Sequence, residues 1–397
     1  MISRHILPLI VLAQFCCTSL WFAGNAVLAE LVTTFGLPDT ALGSLTSAIQ
    51  FGFICGTLVF AMLAIADRFS PSRVFFASAI AGAVFNLAGI WPENTLFSLL
   101  SGRFMTGFFL AGIYPVGMKI AADYYQKDLG KSLGFLVGAL VLGTAFPHLL
   151  RGLGQELPWK AVLFITSGLA VLGGVLILAF VPDGPHRSKG TRPDFTAFFK
   201  VFRNRPFRAA AFGYFGHMWE LYAFWAFVPL LLGSYLKTQP EASFSLSVMA
   251  FLVIGVGGIG CVVSGLLSQR YGAKKVAATA LALSGICCLL APMVFHLPPG
   301  IFITFLLIWG MLVIADSPLF STLVAGSAAP ERKGTALTIV NCLGFALTIV
   351  SIQVLVVVGE WLEPAALMPL LAVGPALGLL GLFSDRNVSK WPPKAAT

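Results

Sequence analysis

Apolar runs of membrane-spanning length recur along this chain and leave little room for anything else. They fall near Leu7–Leu31, Ala41–Ala66, Val74–Trp91, Leu96–Ala121, Leu133–Leu153, Ala161–Val181, Phe207–Leu236, Phe244–Leu267, Val276–Phe295, Ile301–Ala325, Thr335–Val358 and Ala365–Phe383. A helix needs about 20 apolar residues to cross ~30 Å of hydrocarbon, so these runs predict twelve transmembrane helices. Of the 397 residues, 58% are hydrophobic and 10% charged, where soluble domains run at about a quarter charged. That balance excludes a secreted disulfide scaffold, a nucleic-acid binder and a cytosolic enzyme. The expected class is an all-α polytopic membrane protein embedded in a lipid bilayer.

The net charge of +9 reports topology rather than an acidic partner. Of the 25 Lys and Arg, 21 lie at the N-terminus, the even-numbered connections and the C-terminal tail, counting Lys119 and Arg208 at the span ends that adjoin those connections. Arg151, Lys160 and Lys237 lie on the other side, and Arg103 falls inside a span. The acids divide evenly between the two sides, with Glu220 and Asp316 inside spans. Because Lys/Arg asymmetry orients membrane proteins, both termini are expected in the cytoplasm, with the chain in a plasma membrane, such as a bacterial inner membrane. The first apolar run is longer than a signal-peptide core and is followed by eleven similar runs, so it reads as a retained helix. The seven cysteines all lie in spans, none at metal-ligand spacing with histidine, and read as small packing residues.

Between the sixth and seventh spans the segment PDGPHRSKGTRPDFTAFFKVFRNRP carries six basic residues and four prolines. It predicts a six-helix bundle over residues 1–181, a cytoplasmic linker over 182–206, a second bundle over 207–383 and a tail over 384–397. An internal repeat follows from that division. Trp21 and Trp225 are 204 residues apart, as are Gly130 and Gly334; Gly52 and Gly255, Gly107 and Gly310, and Pro115 and Pro318 are each 203 apart.

The connections after spans 2 and 8 read LAIADRFSPSR (Leu63–Arg73) and GLLSQRYGAKK (Gly265–Lys275). These segments resemble the signature loop of the major facilitator superfamily, G-x-L-A-D-R-x-G-R-K/R. Asp67 and Arg68 match its D-R pair, and Gly265, Leu267, Arg270, Gly272, Lys274 and Lys275 match positions in the second copy. Leu63, Ser70, Pro71 and Gln269 depart from it. Span 4 contributes GRFMTGFFLAG (Gly102–Gly112), similar to the R-x-x-x-G motif of many members. The resemblance implies the major facilitator fold, two pseudo-symmetric six-helix bundles with one substrate site between them near the midplane, lined by helices 1, 4, 7 and 10. It also implies transport by rocking of the bundles. Asp67, Arg68 and Arg270 are the expected cytoplasmic gate, an acid and cations near helix ends that latch the two halves.

Charges inside a bilayer are expensive and usually face a cavity. Arg103, Glu220 and Asp316 all fall on spans that the resemblance assigns to the cavity. In span 1, Gln14, Thr18, Trp21 and Asn25 recur at one helical face, and Tyr114 shares a face of span 4 with Arg103. In span 7, His217 and Glu220 lie one turn apart among aromatics. Glu220, near mid-membrane, is the expected proton-coupling acid, with Arg103 as its candidate partner and His217 as relay. Asp316 precedes Ser317 and Pro318, so it reads equally as a cap on a broken helix. The substrate-binding or proton-coupling candidates are thus Glu220, Arg103, Asp316, His217, Gln14, Asn25, Trp21 and Tyr114. His148 and Arg151 mark span 5.

The expected function is a secondary active transporter of a small solute, with a proton as coupling ion, acting as a monomer without cofactor or metal. No nucleotide-binding G-x-x-x-x-G-K-[ST] occurs, and no H-E-x-x-H or G-x-S-x-G supports an enzyme, so no catalytic residue is assigned. The alternatives are a non-transporting receptor or chaperone on the same fold and, behind them, an intramembrane enzyme.

Overall fold

The structure, a computed structural model, describes residues 5–38, 40–125, 129–153, 158–187, 202–328 and 333–384. Most of the linker and tail therefore lie outside the described residues. Eleven helices among them are long and apolar enough to cross a membrane, and Ile6–Thr18 is a shorter apolar helix. The twelve expected spans are all present, the first of them interrupted.

That first span, α1, runs as Ile6–Thr18, Ala23–Ala26 and Leu28–Phe35. Its break at residues 19–22 follows from Thr18 and Ser19, whose hydroxyls donate back to the carbonyls of Gln14 (2.8 Å) and Cys16 (2.7 Å), a pattern that loosens the helical ladder. Beyond it come α2 (Ala41–Met62), α3 (Pro71–Leu87), α4 (Leu96–Leu110 and Tyr114–Tyr124), α5 (Leu129–Leu153) and α6 (Trp159–Phe180). The second set is α7 (Arg205–Thr238), α8 (Leu246–Gly255 and Gly257–Tyr271), α9 (Ala273–Val294), α10 (Pro299–Ala315 and Ser317–Ser327), α11 (Lys333–Val358) and α12 (Pro364–Leu367 through Val373–Phe383).

The internal repeat is visible in the packing. A Cβ on Gly107 of α4 would lie 2.0 Å from the carbonyl oxygen of Ile49 on α2. Its counterpart Gly310 on α10 stands in the same relation, 1.9 Å, to the carbonyl of Val253 on α8. Gly56 and Gly260 repeat the arrangement against Phe108 and Met311, both at 2.3 Å. Only a residue without a side chain permits backbones this close.

Both α4 and α10 break just before a proline, at residues 111–113 and at Asp316. Proline lacks the N–H that would satisfy the carbonyl four residues earlier. For Pro318 that carbonyl belongs to Ile314, and the Cys261 thiol of α8 donates to it at 3.6 Å.

Candidate functional site between the two bundles

The bundles meet tightly at one end of the interface. On α5 and α8, a Cβ on Gly152 would lie 2.5 Å from Val248, whereas one on Gly258 would lie 3.7 Å from the Gly138 carbonyl. At Gly134 and Gly265, further along, nothing stands within 4 Å. On α2 and α11, a Cβ on Gly43 would lie 2.5 Å from Val356, and Gln353 donates to the Ser47 hydroxyl at 2.8 Å. The sealed end is the one away from the start of α1 and the α6–α7 connection, here the far end; the opposite end is the linker end.

An aromatic cluster fills the interface beside this seal. Trp21, in the α1 break, stacks on Tyr222 of α7 and Phe345 of α11, both at 5.7 Å between ring centroids. Phe53 of α2 meets Phe345 at 4.6 Å, and Trp225 meets Tyr222 at 5.3 Å. Phe22 packs against Tyr222, Trp225 and His148, 6.3–6.5 Å away. All are buried, and both bundles contribute.

Within this apolar setting several buried polar groups lack a hydrogen-bond partner: both amide atoms of Gln14 and of Gln50, the indole nitrogens of Trp21 and Trp225, and Nε2 of His148. Each such group costs about 1–3 kcal/mol when left unsatisfied. The polar stripe of α1 thus divides. Asn25 donates to Thr46 of α2 at 2.8 Å and Thr18 reaches the Ala139 carbonyl of α5 at 3.5 Å, so these two join helices. Gln14 lies against Gly117 of α4, where a Cβ would come within 2.3 Å of its oxygen. Tyr114 begins the second segment of α4 and is half-buried.

The three interior charges sit where the sequence puts them but choose partners it does not reveal. Arg103 is 7% exposed and donates to the carbonyls of Leu20 (3.2 Å) and Trp21, with Asn86 of α3 at 3.5 Å. Its guanidinium therefore caps the carbonyls freed by the α1 break. It neither snorkels to headgroups nor meets Glu220. Beside it lies a cavity of about 20 Å³, lined by Gly24, Asn86 and Gly102 among others, with room for one water.

Glu220 faces the interior of its own bundle. Its Oε1 accepts from Trp309 Nε1 (2.8 Å), the Cys288 thiol (3.2 Å) and the Ser284 hydroxyl. The expected Glu220–Arg103 pairing is corrected accordingly: each is held within its own half. His217, expected as a relay to Glu220, instead pairs with Asp316. Its Nδ1 stands 2.7 Å from Oδ1, at ion-pair distance but off the line of a hydrogen bond. The Asp316 side chain makes no hydrogen bond of the usual cap type further into the helix segment it begins, while the backbone N–H groups of Asp316 and Ser317 face its carboxylate.

At the linker end Asp67 pairs with Lys119 of α4 at 3.2 Å, and Lys119 also meets Asp123 at 3.4 Å. Arg187 donates to the carbonyls of Phe69 (2.8 Å) and Asp67 (3.4 Å). Arg68 and Arg270 are exposed, and Arg270 lies 5.3 Å from the Tyr271 ring. The ion pair of Asp67 stays within the first bundle.

Sequence reasoning passed over Gln50, Asn86, Ser284, Cys288 and Trp309. Gln50 and Asn86 were detectable as amides inside apolar spans. Cys288 was not, because a thiol donor looks like any small apolar residue until its carboxylate partner is placed. No group of three or more His, Cys, Asp or Glu that could hold a metal occurs among the described residues.

Two repeated bundles of membrane helices, breaking at matched positions around a buried polar and aromatic interface, define a multi-pass membrane protein of the transporter type. A profile of the Major Facilitator Superfamily matches residues 10–352, and the chain belongs to that family. It is similar to the 4-hydroxybenzoate transporter PcaK of Pseudomonas aeruginosa, 26% identical over 159 residues, 38% of this chain and 34% of that protein. It is also similar to the 3-(3-hydroxy-phenyl)propionate transporter of Escherichia coli, 30% identical over 163 residues, 40% of this chain and 38% of that one. The chain thus matches little more than a third of these relatives' length. Among solved structures, a mutant form of the nucleoside transporter NupG superposes with a TM-score of 0.71 at 17% identity, over 96% of this chain and 99% of that one, a likeness of fold.

Proposed function

We propose that this chain is a proton-coupled secondary transporter of a small organic solute, working by alternating access in a plasma membrane with both termini cytoplasmic. The observation that carries the proposal is an interface between the bundles, sealed at the far end, around buried polar groups that lack partners. A solute binding there would be reached from one side only, and rocking of residues 1–181 against residues 207–383 would expose it to the other. On the proposed topology the sealed end faces outward and the linker end the cytoplasm. The relatives named for hydroxylated aromatic acids make such acids the first solutes to test.

The proton is assigned to the His217–Asp316 pair in preference to Glu220. Glu220 is fixed by donors from two neighbouring helices of its own bundle. Asp316 lies at the break of α10, where the two segments can change their relative angle and the pair can part. A proton on Asp316 would remove the attraction that holds it.

Reconstitution in liposomes tests the reading. A pH difference should drive radiolabelled 4-hydroxybenzoate, or another small solute, to accumulate above its equilibrium level. Binding without flux across a panel of solutes would identify a receptor instead.

A further inference from the structure

Trp21 and Trp225 occupy equivalent places in the two repeats, 204 residues apart. One sits in the break of α1 and the other on α7, and both are 0% exposed. Their indoles flank one residue, Tyr222, at ring-centroid distances of 5.7 and 5.3 Å. An indole nitrogen donates a hydrogen bond and accepts none, and neither of these two has a partner. Buried tryptophans usually find an acceptor. Two that do not, one from each bundle and beside the same ring, mark a place where the acceptor comes from outside the protein.

The side chains around them narrow the chemistry. Phe22, Phe53, Tyr222 and Phe345 provide ring surfaces, which favour a flat aromatic ligand through stacked or edge contacts. Of the interior acids, Glu220 accepts from three donors and Asp316 stands 2.7 Å from His217, and neither is a partner of either indole. An ammonium group carries donors only, so an amine could satisfy neither indole.

The geometry points to Trp21 and Trp225 as the specificity-determining donors for a substrate that is an aromatic carboxylic acid. The two N–H groups take the two oxygens of the carboxyl group, one from each bundle, while the ring rests among the aromatic side chains. This rests on the reading of the interface as a transport site and adds to it the recognising groups and the sign of the ligand's polar end. A ligand held by both bundles at once also ties substrate occupancy to their relative position.

The test is equilibrium binding to the purified full-length protein in detergent, with three probes of similar size. Benzoate carries ring and carboxyl, cyclohexanecarboxylate the carboxyl without the aromatic ring, and benzylamine the ring with a cationic donor. Benzoate should bind at least tenfold more tightly than either of the others. Trp21→Phe and Trp225→Phe keep a ring and delete the N–H, and each should weaken benzoate at least tenfold. Trp91→Phe, at an exposed position away from the interface, should leave binding unchanged. Melting temperatures without ligand, compared with wild type, separate lost recognition from lost folding. Because both variants remain aromatic, toluene, which carries no acceptor, serves as a ring probe that should bind them as it binds wild type. Benzoate affinity unchanged in both variants, or benzylamine bound as tightly as benzoate, would overturn the assignment. Should no aromatic acid bind while the liposomes accumulate some other solute, the substrate class fails and the transporter reading stands. Should the liposomes move no solute although benzoate binds as described, it is the transporter reading that fails.

Discussion

Nδ1 of His217 lies 2.7 Å from Oδ1 of Asp316, both side chains 1% exposed, at the point where α10 breaks. Taking the two groups out of water offsets most of what their attraction gains, so a buried pair adds little to stability and can serve as a two-state element. A group that gains or loses a proton during a cycle needs such bistability.

The comparison of Asp316→Asn with Glu220→Gln therefore discriminates between the two interior acids. Asp316→Asn in liposomes should still exchange labelled solute across the membrane but fail to accumulate it under an imposed pH difference. Glu220→Gln keeps the volume and an acceptor oxygen for Trp309, Cys288 and Ser284, so it should retain at least half of the uphill transport. The reverse pattern would return the coupling role to Glu220.

The glycine crossings give a stability prediction. A methyl group on Gly107 or Gly310 would press into a facing backbone carbonyl at 2.0 or 1.9 Å. Overpacking of this kind costs about 1–3 kcal/mol or more. Gly107→Ala and Gly310→Ala should each lower the melting temperature of the purified protein. Gly134→Ala, with nothing within 4 Å, should melt within error of wild type.

Much of this architecture is legible in the sequence because the bilayer imposes a simple rule. Each span must be apolar and long enough, so the twelve helices follow from hydropathy, and the spacing of Gly107 and Gly310 reveals the repeat. The same rule singles out Arg103, Glu220 and Asp316, since a charge inside an apolar run stands out. What hydropathy does not encode is the rotation of each helix and the place where its ladder breaks. Arg103 finds its acceptors in carbonyls released at the break of α1, and backbone atoms leave no trace in a residue pattern. His217 and Glu220 are one turn apart, yet one meets α10 at Asp316 and the other meets α9 and α10 at Ser284, Cys288 and Trp309. The signature loop reveals Asp67 as a charged position near a helix end, but its partner, Lys119, depends on how far apart the bundles stand.

Arg103 offers a test of the α1 break. Lysine keeps the charge but lacks the planar fork that reaches two carbonyls at once. Arg103→Lys should lower the melting temperature by an amount corresponding to about 1–3 kcal/mol, the cost of a buried polar group left unpaired, and reduce transport, because Trp21 is held through its carbonyl. Arg103→Gln should lower both further. Normal stability and flux in both variants would show that the break does not depend on the guanidinium.

The proposed topology can be read with an impermeant thiol reagent on intact cells. In a background freed of native cysteines, Glu93→Cys and Glu363→Cys, both exposed, should label. Arg73→Cys, exposed at the opposite end of α3, should stay protected until the cells are opened. Labelling of Arg73→Cys in sealed cells would invert every loop.

The seal at the far end yields the last prediction. Gly152 lies so close to α8 that a Cβ would stand 2.5 Å from the Val248 side chain and 2.8 Å from its backbone nitrogen. The side chain could turn away, but the backbone cannot, so a larger residue must force α5 and α8 apart at that end. The second seal, between α2 and α11, rests on the Gln353–Ser47 hydrogen bond and on Val356 against Gly43, and a rigid-body movement would strain it as well. Gly152→Leu should therefore shift the population toward a state open at the far end. Spin labels at Thr33 and Glu241, exposed positions at that end of the two bundles, should report a longer distance than in the wild-type background. Transport should fall, since a cycle needs both closures, while binding from the far side should persist. An unchanged distance distribution in a folded Gly152→Leu protein would mean that the contact is local packing and that the seal lies elsewhere.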